Sequence, residues 1–168
     1  EEQEAARKAT LHDPLFRDAS LSGSGKDQVA LSAADFRRLL RETHCPPAEV
    51  VFVSPLERTL QTAQLLFPGH ARMICLEALR EKRTGLPCDE RKPAELLRGR
   101  FPSVDFADVL EQDRESDRGY SFRPDSKEGN EALQARTAFL LPFLLEHPSE
   151  SIAVVTHKGF LREFFKSE

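Results

Sequence analysis

Three polar residues stand where apolar runs give out. "VVFVSPLER" leads to Arg58, "MICLEALRE" leads to Glu81, and "SIAVVTHKG" ends its run on His157, with Lys158 and Gly159 next. A guanidinium, a carboxyl and an imidazole are groups that can handle a phosphoryl group. Arginine clamps phosphate through two parallel hydrogen bonds, a carboxylic acid can exchange a proton with a leaving oxygen, and imidazole can donate to a phosphoryl oxygen whether neutral or protonated. Each residue also has an ordinary alternative. Arg58 could pair with Glu57 or Gln61 on a surface, Glu81 is one loop charge among Glu77, Lys82 and Arg83, and a lone histidine is commonly structural.

The elements that must position these groups follow from pattern. Val29, Leu31, Phe36, Leu39 and Leu40 recur at helical spacing in "DQVALSAADFRRLLRE", and two prolines in "HCPPAE" end that helix. The continuous β-branched run over 50–54 predicts a short buried strand. From Ser54 the stripe Leu56, Leu60, Ala63, Leu66, Phe67 predicts a helix, with Ser54 as N-cap, Pro55 at the first position and Glu57 completing a capping box. The spacing predicts a further strand over 72–76.

Residues 80–130 are polar and too long for an idle connection. "ELLRGRF" and "FADVLEQ" read as short helices there, and Leu96, Phe101, Phe106, Leu110, Tyr120 and Phe122 are its apolar anchors; a disordered insert is the alternative. "NEALQARTAFLLPFLLEH" predicts a long helix burying Ala132, Leu133, Phe139, Leu140, Phe143 and Leu144. Pro142 must kink it or split it. A strand over 151–157 and a final helix follow. Strands alternating with helices predict an α/β layered fold with a largely parallel sheet, and in such sheets ligands bind beyond the carboxyl ends of the strands. Ser54 and His157 both lie at such ends, and Gly159 would permit a tight turn and close backbone approach there.

The bulk properties narrow the classes. A chain of 168 residues suits one domain. Its 24 basic and 28 acidic residues give a net charge of −4, so no global basic field attracts nucleic acid or an anionic membrane. Three cysteines without a CxxC spacing disfavour a disulfide scaffold or zinc knuckle and suit a reducing, cytoplasmic setting. No apolar run approaches the roughly 20 residues that span a bilayer, and "EEQEAARK" is unlike a signal peptide. "SGSGK" lacks the spacing of a nucleotide-binding loop. The five histidines show no HxH or HExxH clustering. Neither metal nor organic cofactor is expected, and the expected partner is a small phosphorylated substrate.

"VFVSPLERTLQTAQLLF", "LEALREKRTG" and "IAVVTHKGFLREFF" together resemble the histidine phosphatase superfamily, also called the phosphoglycerate mutase-like family. "DASLSGSGKDQVALS" looks like that family's loop and helix after its first strand, and "GLPCDERKPAELLRGRFPSVDF" is similar to a eukaryotic subgroup of phosphoglycerate mutase-like proteins. The resemblance implies a three-layer α/β/α sandwich with a mostly parallel central sheet. It also implies a phosphate surrounded by two histidines, two arginines and an acidic residue. Arg58 would then bind phosphate, Glu81 would donate the proton, and His157 would be the second histidine, with Lys158 and Gly159 beside Arg58 and His157 in the substrate-binding set.

The family's nucleophile is the histidine of an Arg-His-Gly or Arg-His-Ala motif ending its first strand, and this sequence has no such motif. His12 in "LHDPLF" lacks both the arginine and the strand. The expectation is a single domain over 1–168 that lacks a central strand, placed before Glu1, and its C-terminal end, with residues 80–130 covering the active-site face. The resemblance implies a phosphatase working through a phosphohistidine. A mutase, or a non-catalytic phosphate-binding domain, is the alternative.

Overall fold

A computed structural model describes residues 9–70, 72–115 and 127–165. The strands are β1 (Val50–Val53), β2 (Met73–Cys75), β3 (Val104–Asp105) and β4 (Ile152–Val155). All neighbours pair parallel in the order β3-β2-β1-β4. The helices are α1 (Gly23–Glu42), α2 (Glu57–Leu66), α3 (Ala94–Arg100), α4 (Ala107–Glu115), α5 (Asn130–Thr137), α6 (Leu140–Leu145) and α7 (Lys158–Phe164). None of the described helices is long and apolar enough to cross a membrane.

Alternation along the strands divides the core in two. Val51 and Val53 face a cluster with Leu60 and Ala63 of α2, Leu97 of α3 and Val109 of α4. Val50 and Phe52 face Leu133 of α5, Leu140 of α6, and Phe160 and Phe164 of α7. Both faces of β1 are therefore covered, which is why its four residues read as an unbroken apolar run. The result is the expected α/β/α sandwich.

Several local expectations are corrected. The first helix starts at Gly23, earlier than its apolar pattern, because the Ser22 side chain accepts the Gly25 N–H. Leu31 and Leu39 are exposed, and Ala33 is its buried residue. Leu56, with extended backbone and no side-chain cap bond, takes the N-cap place of α2, so Ser54 and Glu57 form no capping box. The long C-terminal helix splits into α5 and α6. The break falls at Ala138 and Phe139, where Pro142 supplies no N–H for the Ala138 carbonyl. Ala132 and Phe139 are exposed.

The described part of the 80–130 segment is folded as α3, β3 and α4, with Phe101 and Phe106 buried, Leu110 packed beside them and Leu96 exposed. Tyr120 and Phe122 lie outside the described residues. The described strands pair without a gap between them, so no position is open inside the sheet. Among the described residues the sheet ends at β3 on one side and at β4 on the other, and at the outer edge of β4 Val154 is exposed beside an apolar groove of about 350 Å³ lined by Phe36, Leu40 and Leu161.

A buried charged knot ties the start of α2 to the segment that follows Arg80. Asp18, fully buried, accepts the Glu57 N–H at 2.7 Å and the Lys92 N–H at 2.9 Å, while Lys92 Nζ donates to its carbonyl at 2.9 Å. The Glu57 carboxylate, also fully buried, is held by Lys92, Ser20 and Arg100. Asp18 has φ 45°, a left-handed conformation that Asp and Asn tolerate better than most residues. Asp18→Ala strands one buried amide, that of Glu57, and one partly buried amide, that of Lys92, and is expected to cost about 2–4 kcal/mol by urea denaturation, with Asp18→Asn costing less. Equal stability of the alanine variant and wild type would contradict this account.

Candidate active site

The carboxyl ends of β1 and β4 are neighbours because these strands pair in register, Val53 opposite Val155. Ser54 and His157 are thus brought face to face, with Ser54 Oγ 2.8 Å from His157 Nε2. The Leu56 N–H donates to the same hydroxyl at 3.3 Å. The hydroxyl can serve Nε2 as donor or as acceptor, according to which ring nitrogen carries the imidazole proton. Ser54 is fully buried and His157 is 7% exposed. Burial, then the positive charges of Arg58, Arg80 and Arg136, lower the His157 pKa from 6.5 to about 3. The imidazole is neutral at neutral pH.

Glu81 reaches the same corner from the end of β2. The chain leaves β2 through a 3₁₀ turn, Glu77–Leu79, whose Leu79 carbonyl accepts the Thr156 hydroxyl at 2.7 Å, pinning the two strand ends together. The Glu81 carboxylate accepts the Lys82 N–H at 2.9 Å and lies directly on Gly159. A Cβ at Gly159 would sit 2.7 Å from Oε1 and 2.9 Å from Oε2. Gly159 lies inside α7 with ordinary helical backbone, so the expected tight turn is replaced by close approach of a carboxylate.

Gly159→Ala tests that contact. The obstructing atoms are the far end of a flexible side chain, and alanine improves helix propensity by about 1 kcal/mol. Thermal unfolding is expected to change by less than about 1 kcal/mol in either direction while the carboxylate is pushed off the helix. A loss of several kcal/mol would show that Glu81 cannot move.

Arg58 behaves differently from either sequence alternative. It pairs with neither Glu57 nor Gln61; Gln61 instead accepts the Leu21 N–H. Its guanidinium donates to the Cys88 carbonyl at 2.6 Å and to Asp89 Oδ1 at 3.3 Å. Lys158 opens α7 and is exposed. The structure therefore brings His157, Glu81 and Gly159 into one corner with Arg58 close enough to act on the imidazole charge.

Two arginines went unnoticed in the sequence. Arg80, 3% exposed, donates to Glu77 at 2.7 Å and to the Glu81 carbonyl at 3.0 Å. Arg136 of α5 lies 6.0 Å over the Phe160 ring and donates to both oxygens of Glu128 and to the Ala78 carbonyl. Arg80 could have been suspected from its place beside Glu81. Nothing near Arg136 in the sequence marks it. Of the other histidines, His70 contacts the Ala48 carbonyl, His147 packs on Phe52, and His12 and His44 are exposed.

The class defined by these features is a parallel α/β/α protein whose polar residues gather at the carboxyl edge of the sheet. The chain belongs to the histidine phosphatase superfamily (branch 1), whose family model matches residues 16–167. It is similar to a phosphoglycerate mutase-like protein of Arabidopsis thaliana, 26% identical over 71% of this chain and 53% of the relative. Phosphoglycerate mutase-like protein 2 of the same plant is 32% identical over 99% of this chain and 62% of its own length. With phosphoglycerate mutase-like protein 1, the identity is 31% over 67% of this chain and 49% of the relative. The chain thus spans about half to three fifths of the length of these relatives. The fold is also that of a mycobacterial glucosyl-3-phosphoglycerate phosphatase, with TM-score 0.52 and 18% identity over 89% of this chain and 69% of the other.

Proposed function

We propose that the chain forms the phosphate-holding part of a phosphomonoester hydrolase that works through a phosphohistidine. The observation that carries this reading is the buried, neutral His157, held by Ser54 where the ends of β1 and β4 adjoin and acted on by the charges of Arg58, Arg80 and Arg136. Such a corner favours an anion, since a phosphate would both offset the guanidinium charges and draw a proton onto the imidazole. Membership of the superfamily supports phosphatase or mutase chemistry.

In this reading a histidine outside residues 1–168 attacks phosphorus and the bond to the leaving oxygen breaks. Glu81 donates its proton to that oxygen. Water then cleaves the phosphorus–nitrogen bond, returning a proton to Glu81 and releasing phosphate. Arg58 and His157 stabilise charge on the phosphoryl oxygens, and Lys158 and Gly159 complete the substrate-binding set. The histidine would arrive on a strand that pairs with the open edge of β4, filling the apolar groove beside it. A small phosphorylated substrate is the partner, no cofactor takes part, and the setting is cytoplasmic.

The test is a trapping experiment on protein that includes residues preceding Glu1. Rapid acid-free quenching after mixing with a radiolabelled phosphomonoester should leave an acid-labile, base-stable label on a histidine outside 1–168. Turnover with the label on a residue within 1–168, or turnover unaffected by His157→Ala, would overturn the reading. Free phosphate as product separates hydrolase from mutase. Phosphate binding without any turnover would identify a non-catalytic domain.

A further inference from the structure

Arg58 is held from outside its own helix. Among the described residues both of its hydrogen-bond acceptors belong to the 3₁₀ turn Pro87–Asp89, the Cys88 carbonyl at 2.6 Å and Asp89 Oδ1 at 3.3 Å. Asp89 is 7% exposed, and its second oxygen accepts the Thr84 hydroxyl, so the carboxylate is fixed from behind while it faces the guanidinium. The turn is anchored in its place. The Asp18 N–H donates to the Pro87 carbonyl at 3.2 Å, and the Asp18 carboxylate holds the N–H of Glu57, the residue before Arg58. One buried residue therefore fixes both the turn and the helix start from which Arg58 projects.

We propose that Asp89 is a positioning residue for phosphate recognition, acting through Arg58. The inference rests on the phosphate reading above. A guanidinium carries five N–H donors, and the turn engages two of its nitrogens, Nη1 and Nη2. Holding that edge orients the planar group and settles its rotamers before a ligand arrives, which removes ordering cost from binding. The segment after residue 80 then does more than cover a face, because its turn sets how well Arg58 meets an anion.

A carboxylate beside the clamp also has an opposing effect, since its charge disfavours a second anion. Asparagine separates the two effects: it keeps an oxygen acceptor for Arg58 and removes the charge. Inorganic phosphate is titrated calorimetrically into wild type, Asp89→Ala, Asp89→Asn, Arg58→Ala and the Arg58→Ala/Asp89→Ala pair. Asp89→Ala is expected to weaken phosphate binding about 3–10-fold, Asp89→Asn to retain or exceed wild-type affinity, and the alanine effect to vanish when Arg58 is already absent. Thr84→Val, which releases the carboxylate without deleting it, should weaken binding in the same direction and serves if Asp89→Ala does not fold. Equal losses in the Ala and Asn variants, or an Asp89→Ala effect that persists without Arg58, overturn the positioning role. Arg58→Ala with unchanged phosphate affinity overturns the phosphate reading itself, and the role of Asp89 falls with it.

Discussion

Arg58→Ala is expected to lower the affinity for inorganic phosphate roughly 10–100-fold, the worth of about 1.5–3 kcal/mol for hydrogen bonds to a charged group. Stability should fall by about 1–2 kcal/mol at most, because Arg58 is about a quarter exposed, its loss removes the donor to the Cys88 carbonyl and one partner of the nearly buried Asp89, and Asp89 keeps the Thr84 hydroxyl. Deletion partly offsets this by relieving a cation in the first turn of α2, where the helix dipole disfavours it by roughly 0.3–1 kcal/mol. A loss of ligand affinity beside only a modest loss of stability is the signature of a residue kept for its ligand. Arg58→Lys sharpens the test, because lysine keeps the charge but not the planar fork. It should recover only part of the affinity. Calorimetric titration with phosphate, paired with urea denaturation, measures both quantities, and an alanine variant that unfolds readily yet binds phosphate normally would reverse the assignment.

What the sequence disclosed here was local. The run ending at Ser54 announces a strand because both faces of β1 are buried, and a doubly buried strand has no polar alternation to confuse it; the run ending at His157 is legible from its β-branched residues although Val154 of β4 is exposed. The helix after Ser54 is equally plain from its stripe, yet it starts at Glu57 with Leu56 as its N-cap and not where spacing puts it. Spacing made Ser54 a cap, whereas its hydroxyl is engaged by an imidazole 103 residues away, a contact no local rule contains. Glu57 shows the same thing: its position suits a capping box, but its charge is balanced by Lys92, which is 35 residues distant. Strand β3 is two residues long, too short for any period to register.

The site divides along the same line. His157 and Glu81 could be picked out because each follows a recognisable strand end. Arg80 is marked only by its place beside Glu81 and Arg136 by nothing local, since they act on the imidazole through space from a turn and from a helix on the far cluster. The contact of Glu81 with Gly159 likewise depends on how two strand exits converge. Long-range pairing is set by the sheet order, and the sheet order is what a single sequence hides.

The neutral His157 makes acid sensitivity a second strong expectation. Its pKa falls from 6.5 to about 3 on folding, so between those values the unfolded chain binds a proton that the folded chain does not. Stability therefore rises with pH across that window and is lost as pH falls below about 6.5. By pH 5 the loss from this one group should be about 2 kcal/mol, from a limiting slope of about 1.4 kcal/mol per pH unit. Other groups contribute with both signs: the depressed carboxyls of Glu57 and Glu128 add to acid loss, whereas the raised carboxyls of Asp18 and Asp108 oppose it. Comparison with His157→Gln cancels them, because that variant keeps a hydrogen-bonding group near Ser54 and has nothing to titrate. Urea denaturation at intervals between pH 5 and 8 should show wild type losing about 2 kcal/mol more than the variant. Parallel pH profiles would mean that His157 titrates normally. Saturating phosphate supplies a further check: its negative charge beside the imidazole should raise the folded-state pKa, so the difference between wild type and variant should shrink as phosphate binds. Arg58→Ala should shrink it too, since one of the charges that keep His157 neutral is then gone.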